Sequence, residues 1–230
     1  MIQKFFGSLL LIHLSCFSHA QEKEIYIVKP GEKVTESLPD SVQFTYPSFT
    51  MATISFRDGR SGTAKLNYNS LFEEMMFIDP NGDTLAIGNL ETIRHVVFNK
   101  DTFFLSDILV KQVASYGEVL LGQRIFFRVI NVRKPGAMGH PTSNTVQSFR
   151  AMNTASDLRS LVVMEEITLE KSSLYYLGDR FGKFSHANRN TLFEMFPQKR
   201  KQIKEYLKEN NTSFTSETDL KNLLKYIYQN

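Results

Sequence analysis

The sequence predicts an α+β fold: mainly an antiparallel β meander, folded as a barrel or a sandwich, followed by a C-terminal helical hairpin. Three observations predict it. First, Ala52, Ile54 and Phe56 alternate with polar Thr53 and Ser55, then Ala64, Leu66 and Tyr68 alternate with Lys65 and Asn67, with Arg57-Asp58-Gly59-Arg60 between. Asp-Gly between two alternating runs marks a tight hairpin, because the turn needs positive φ and glycine supplies it without strain. Second, the links at 99–101 and 116–117 are short, and short links join neighbouring antiparallel strands. An open sheet of many strands would leave a sticky edge, so closure or folding over is expected. Third, Leu220, Leu223, Leu224 and Ile227 recur at the i, i+3, i+4, i+7 spacing of a buried helical stripe.

The elements follow in chain order. Residues 1–20, MIQKFFGSLLLIHLSCFSHA, carry Lys4, an apolar run over 5–14 and Ser18-His19-Ala20, with small residues where a signal peptidase reads. This is the pattern of a cleaved secretory signal peptide, with cleavage after Ala20. The alternative is lipidation of Cys16, since His13-Leu14-Ser15 partly matches a lipoprotein box, although an aliphatic residue normally stands where His13 does. A β-meander domain is expected over 21–134. Its second hairpin runs from 72–78 through Asp79-Pro80-Asn81-Gly82-Asp83 to 84–87, where Pro80 presets φ and Gly82 takes the left-handed corner. Further strands are expected at 93–98, 102–105, 108–114, 118–121 and 124–132. Residues 135–156 hold two Pro and two Gly among small polar residues and read as a loop or linker. Over 157–230 two strands are expected, 161–169 and 174–177, around Glu170-Lys171-Ser172-Ser173. Then come helices, the first over 198–209 behind Pro197, the second opened by Ser216 with Asp219 three residues on.

Composition narrows the function classes. The chain has 27 basic and 24 acidic residues; loss of Lys4 with the signal leaves 26 against 24, nearly neutral, which disfavours nucleic acid as a partner. No apolar run after Ala20 is long enough to span a bilayer. The exported form would have no cysteine, so core burial rather than disulfides must stabilise it.

The residues that carry chemistry are sparse. His95, His140 and His186 lie in no metal-site spacing, and no Gly-x-Ser-x-Gly elbow, P-loop or dinucleotide glycine pattern is present. No cofactor is therefore expected. Asp79 and Asp83 invite a calcium reading, but the loop lacks the acidic positions and late glutamate of an EF-hand, and the turn reading is preferred. Asn67, Tyr68 and Asn69 cluster amide and phenol groups that would bind a polar ligand or cap the turn before Leu71; capping is the simpler role. Glu74 and, in the Gly-Pro loop, His140 complete the polar binding candidates. Glu73-Glu74 and Glu165-Glu166 are adjacent pairs whose members point to opposite faces of a strand, so neither pair converges on one bond unaided. Lys199-Arg200-Lys201 with Lys204 and Lys208 forms a basic helix face, solvated by default, with contact to anionic headgroups or acidic polysaccharide as the alternative.

Four segments together carry a resemblance: GTAKLNYNSLFEEMMFIDPNGDTLAI, IRHVVFNKDTFFL, VRKPGAMGHPTS and FPQKRKQIKEYLKENNTSFTSETDLKNLLKYI. Together they resemble a family of uncharacterised exported proteins of Bacteroidota-type bacteria. That resemblance implies an envelope location, no known activity and no catalytic residues to carry over. The expected function is a secreted or periplasmic, non-enzymatic binding or scaffold protein of the cell envelope, with an envelope protein or glycan as partner. The alternative is a hydrolase of envelope polymers whose carboxylates come from separate strands, from among Glu74, Asp107 and Glu165.

Overall fold

The computed structural model describes residues 24–105, 108–133, 149 and 161–229. The signal segment with Cys16, Asp107, His140 and, Phe149 apart, the expected linker 135–156 lie outside the described residues.

The fold is mainly antiparallel sheet with a helical C-terminal part. Its strands are β1 (Ile25–Val28), β2 (Thr50–Phe56), β3 (Ser61–Asn69), β4 (Glu74–Ile78), β5 (Thr84–Ala86), β6 (Ile93–Phe98), β7 (Asp101–Leu105), β8 (Leu109–Tyr116), β9 (Val119–Arg133), β10 (Glu166–Gly178) and β11 (Phe184–His186). All join one sheet in the order β1-β10-β9-β8-β7-β6-β2-β3-β4-β5, and β11 also pairs with β10. Strands β2–β5 and β6–β10 are each sequential runs, and β2 pairs with β6 to join them. The sheet is open, with β1 and β5 at the ends of that path, which fits the sandwich or meander form of the prediction rather than a closed barrel. The two Asx-Gly hairpins form as expected: Ala52 faces Ala64 across Gly59, whose φ is 90°, and Ile78 faces Thr84 across Gly82, whose φ is 92°.

Two expectations about strand ends are corrected. The expected strands 118–121 and 124–132 are one, β9, of 15 residues. Gly122 inside it is a packing residue, not a turn: a Cβ there would come within 2.8 Å of the Phe184 ring, which also lies over Gly178. The expected break at Glu170-Lys171-Ser172-Ser173 does not occur either. β10 runs unbroken for 13 residues and pairs with β9 from Glu166 opposite Arg133 to Gly178 opposite Leu120. None of those four polar residues favours the left-handed backbone that a tight turn needs. Instead they find partners in the sheet: Glu170 pairs with Arg128, Lys171 donates to the Val42 carbonyl at 2.9 Å, and Ser173 accepts from Gln123 at 3.1 Å. The chain does turn after Gly178, where Gly182 takes a φ of 78° and Asp179 accepts from the N–H groups of Phe181 and Lys183, and β11 returns along β10.

The helices are α1 (Val34–Ser37), α2 (Asp40–Gln43), α3 (Arg189–Met195), α4 (Arg200–Glu209) and α5 (Glu217–Gln229). The first three are not in the sequence prediction. Asn188 starts α3 by accepting from the N–H groups of Asn190 and Thr191 at 2.8 and 3.0 Å. The predicted hairpin is α4 and α5. Pro197 opens a 3-10 turn over Pro197–Lys199 ahead of α4, and Ser216 Oγ accepts from Asp219 N–H at 3.2 Å to start α5. The stripe Leu220, Leu223, Leu224 and Ile227 is fully buried, together with Ile203 of α4, against Val119, Leu121, Tyr175 and Leu177 of β9 and β10. At roughly 1.5–3 kcal/mol for each large aliphatic side chain, that burial anchors the hairpin to the sheet.

Two further cores lie elsewhere on the sheet. One gathers Ala52, Leu66, Tyr68, Met75, Val96, Phe98 and Phe103 from β2–β7. The other brings Val28, Val34, Leu38, Leu71, Phe72 and Met76 onto Phe127, Ile167 and Leu169, so the end of the β3–β4 hairpin packs over β9 and β10.

Candidate binding groove beside the first strand

The polar candidates from the sequence turn inward. Asn67 and Asn69 are each 1% exposed, as is Tyr68. The Asn67 side chain accepts from Tyr46 N–H at 3.1 Å and donates to the Tyr46 carbonyl at 2.8 Å, pinning the loop after α2 onto β3 as a strand would. Asn69 Oδ1 accepts from Leu71 and Phe72 N–H, both at 3.0 Å, which shapes the turn before β4. Tyr68 Oη donates to the Ile125 carbonyl at 2.8 Å and ties β3 to β9. These groups are engaged within the fold. In the second hairpin Asp79 Oδ1 accepts from Asn81 and Asp83 N–H at 2.9 and 2.8 Å, as a turn requires. Among the described residues no three His, Cys, Asp or Glu side chains are grouped so as to hold a metal ion.

The acids show the same pattern. Glu74 opens β4 opposite Asn69, and Glu165 sits just before β10; both are half-buried. Glu73, in a left-handed backbone at φ 56°, is buried and meets Arg124 Nε at 2.6 Å. Glu170 receives both Nε and Nη2 of Arg128, at 3.1 and 2.6 Å. Asp101 lies 3.0 Å from Lys111 Nζ and 2.8 Å from the Tyr46 hydroxyl. Burial pushes the Asp101 carboxyl up, but the Lys111 ammonium and Tyr46 hydroxyl outweigh it and hold the group below the usual carboxylate range. Burial, then Asp101, push the Tyr46 phenol well above its ordinary value. Among the histidines, His95 is half-buried against the Phe104 ring and burial pushes it down, while His186 is exposed beside Tyr176.

A different surface has the character of a contact site. β1 reads Ile25-Tyr26-Ile27-Val28, apolar on both faces. Tyr26 and Val28 face the core, whereas Ile25 and Ile27 are 50% and 58% exposed. After β1, Pro30-Gly31 bends the chain, with Gly31 at φ 86°, and Lys33 forms an antiparallel bridge with Val162. That bridge brings Val162, 41% exposed, to the same part of the surface, and Met164, two residues on, is 82% exposed. Between β1 and α1 lies an open groove of about 650 Å³ lined by Ile27, Val162 and the polar residues Lys29, Glu32, Lys33, Glu36 and Ser37.

Most of those polar groups satisfy one another. Lys33 Nζ meets Glu36 Oε1 at 2.8 Å, and Glu32 Oε2 accepts from Lys29 N–H at 2.9 Å and from Ser37 Oγ at 3.1 Å. The Lys29 N–H holds the Glu32 carboxyl below its ordinary range. The Lys29 ammonium has no ion-pair partner among the described residues. The groove thus offers apolar walls and the Lys29 ammonium, whose charge acts on Glu32 without a salt bridge, at a sheet edge that pairs with no other strand among the described residues.

Sequence reasoning missed this surface, and its signal was β1 itself. A four-residue strand with isoleucine at alternate positions and apolar residues between has two apolar faces, and at the edge of a sheet only one of them finds a core. Comparison with protein-family models, with curated proteins and with solved structures finds no match to this chain.

Proposed function

We propose that this protein is an exported, non-enzymatic binding or scaffold protein of the cell envelope, and that the groove beside β1 takes an extended apolar segment of an envelope protein. One observation carries the reading: Ile27 and Val162, both exposed, line one groove at an open sheet edge, with the exposed side chains of Ile25 and Met164 two residues from them in sequence. Clustered exposed apolar side chains mark contact sites, and an unpaired edge supplies backbone donors and acceptors for an added strand. Pro30 and Lys29 end the strand after four residues, which limits pairing to a short segment and guards against runaway edge association. A protein segment suits the groove better than a glycan does, because Glu32, Lys33, Glu36 and Ser37 already engage one another and a sugar needs free polar partners. Lys29 favours a carboxylate near the apolar anchor.

No helix among the described residues is long and apolar enough to cross a membrane. The signal-like 1–20 segment supports export, with the mature chain starting at Gln21.

The test is site-specific photocrosslinking in cells, with the reactive group at Ile27 or, as a control, at exposed Lys65 on β3. A discrete envelope-protein adduct is expected at Ile27, absent at Lys65, and lost on adding Lys29→Glu. Identical adduct patterns at the two positions would overturn the reading. N-terminal mass spectrometry of the same sample gives Gln21 if the signal is cleaved there; a lipid-bearing Cys16 would replace the free form by a tethered one.

A further inference from the structure

We propose that the exposed face built by α3 and α4 docks on an anionic phospholipid surface. Three cations converge on one half-buried ring there: Arg189, Arg200 and Lys204 lie 6.0, 5.9 and 5.6 Å from the Phe193 ring centroid. Arg200 Nε also donates to the Phe193 carbonyl at 3.2 Å, which holds the start of α4 over the end of α3. Packing the side-chain stems against the ring keeps the charged heads outward, in water.

The rest of α4 extends the cluster. Arg200, Lys201, Lys204 and Lys208 are all exposed. At 3.6 residues per turn these four fall within an arc of roughly 100°, while the exposed acids Glu205 and Glu209 lie on the flank beyond it. The buried side of the helix, at Ile203, points into the sheet core. None of the five cations forms an ion pair with a carboxylate among the described residues. Like charges gathered on one arc repel one another, and an external anion relieves that repulsion.

The shape of the patch selects the partner. Arg200 to Lys208 spans roughly 12 Å along α4, and Arg189 adds charge from a second helix beside it. The patch is therefore two-dimensional. A bilayer leaflet presents its charges in two dimensions, whereas an acidic polysaccharide presents them in a line. The surface is separate from the β1 groove, so it stands or falls independently of the function proposed above.

The experiment is co-sedimentation of the full mature chain with phosphatidylcholine vesicles, with and without phosphatidylglycerol, at low and high salt. Binding is expected only with phosphatidylglycerol, and is expected to fall as salt rises. Arg200→Glu/Lys204→Glu should weaken partitioning by roughly tenfold or more, since each basic residue contributes about fivefold near an anionic surface. The control Lys65→Glu/Lys100→Glu, which reverses two exposed cations elsewhere, should leave it within about twofold. If the double glutamate variant fails to fold by circular dichroism, Arg200→Gln/Lys204→Gln provides the comparison with a smaller perturbation. Equal binding to neutral vesicles, equal loss in the control, or binding to soluble alginate without vesicle binding would each overturn the proposal.

Discussion

Where β3 meets β9 the buried side chains include two asparagines, a tyrosine and a glutamate, with a half-buried arginine against the last, whereas along β1 the exposed side chains are isoleucines. At the first place Asn67, Tyr68, Asn69 and Glu73 are each at most 5% exposed, and each has a named partner within the fold. At the second, Ile25 and Ile27 stand in water with no core to cover them. The contrast separates two kinds of unusual residue. A buried polar group whose bonds are satisfied specifies architecture, because losing a partner leaves the full desolvation cost behind. A half-exposed apolar group adds less to the isolated fold than a buried one, and where such groups form a contiguous patch they mark contact surfaces.

If the β3–β9 junction is architectural, breaking it should unfold the protein. Arg124→Met leaves the Glu73 carboxylate buried without the guanidinium at 2.6 Å. It should cost about 3–5 kcal/mol in urea unfolding, the range found when one partner of a buried pair is removed. Arg124→Met/Glu73→Gly should recover part of that loss, since the carboxylate is gone and glycine tolerates the φ of 56°. Next in size is Asn69→Ala, which strips the acceptor from two buried N–H groups and should cost about 2 kcal/mol. Tyr68→Phe removes only the hydroxyl bonded to the Ile125 carbonyl, at about 1 kcal/mol. Near-neutral results in all of these would move the junction into the class of ligand-ready polar sites.

The same contrast explains what the sequence could show. Hairpins at Gly59 and Gly82 and the α5 stripe are local patterns, fixed by turn chemistry and helical period within a dozen residues, and both were legible. The partners of Glu73 and Glu170 were not: Arg124 is 51 residues from Glu73, and Arg128 is 42 from Glu170. Nothing local distinguishes those glutamates from surface ones. The unbroken β9 and β10 were missed for a related reason. The gap left at Gly122 is filled because Phe184, which needs the space a Cβ would fill, arrives from far along the chain. For Asn67 and Asn69 the sequence leaves both capping and binding open, and only the distances to Tyr46, Leu71 and Phe72 show that their polar atoms are engaged.

A smaller effect probes a neighbouring polar contact, between β7, β8 and the loop pinned by Asn67, through pH. Asp101 sits among Tyr46 and Lys111, and its carboxyl is held below the unfolded value by those partners. Its stabilising contribution is therefore complete above the ordinary aspartate pKa of about 4 and fades as pH falls through the lower folded value. Asp101→Asn should flatten this part of the acid limb of the stability profile, measured as the urea midpoint against pH, and leave the slope above neutrality unchanged.

The smallest expected change in stability belongs to β1, and it decides the comparison. Ile27→Ser swaps an apolar side chain for a polar one at a position already 58% exposed. Surface substitutions of this kind usually shift stability by no more than about 0.5 kcal/mol. The same change removes an apolar wall of the groove, so the envelope adduct expected from a photocrosslinker placed at Val162, which also lines the groove, should be lost while the urea midpoint stays put. Should Ile27→Ser instead destabilise the chain by as much as Tyr68→Phe, Ile27 is packed in solution and β1 belongs with the β3–β9 junction as architecture. If stability and adduct both survive, the exposed isoleucines do not form the contact, and the edge backbone itself is the remaining candidate, which Ile25→Pro would test by removing an N–H that faces away from β10.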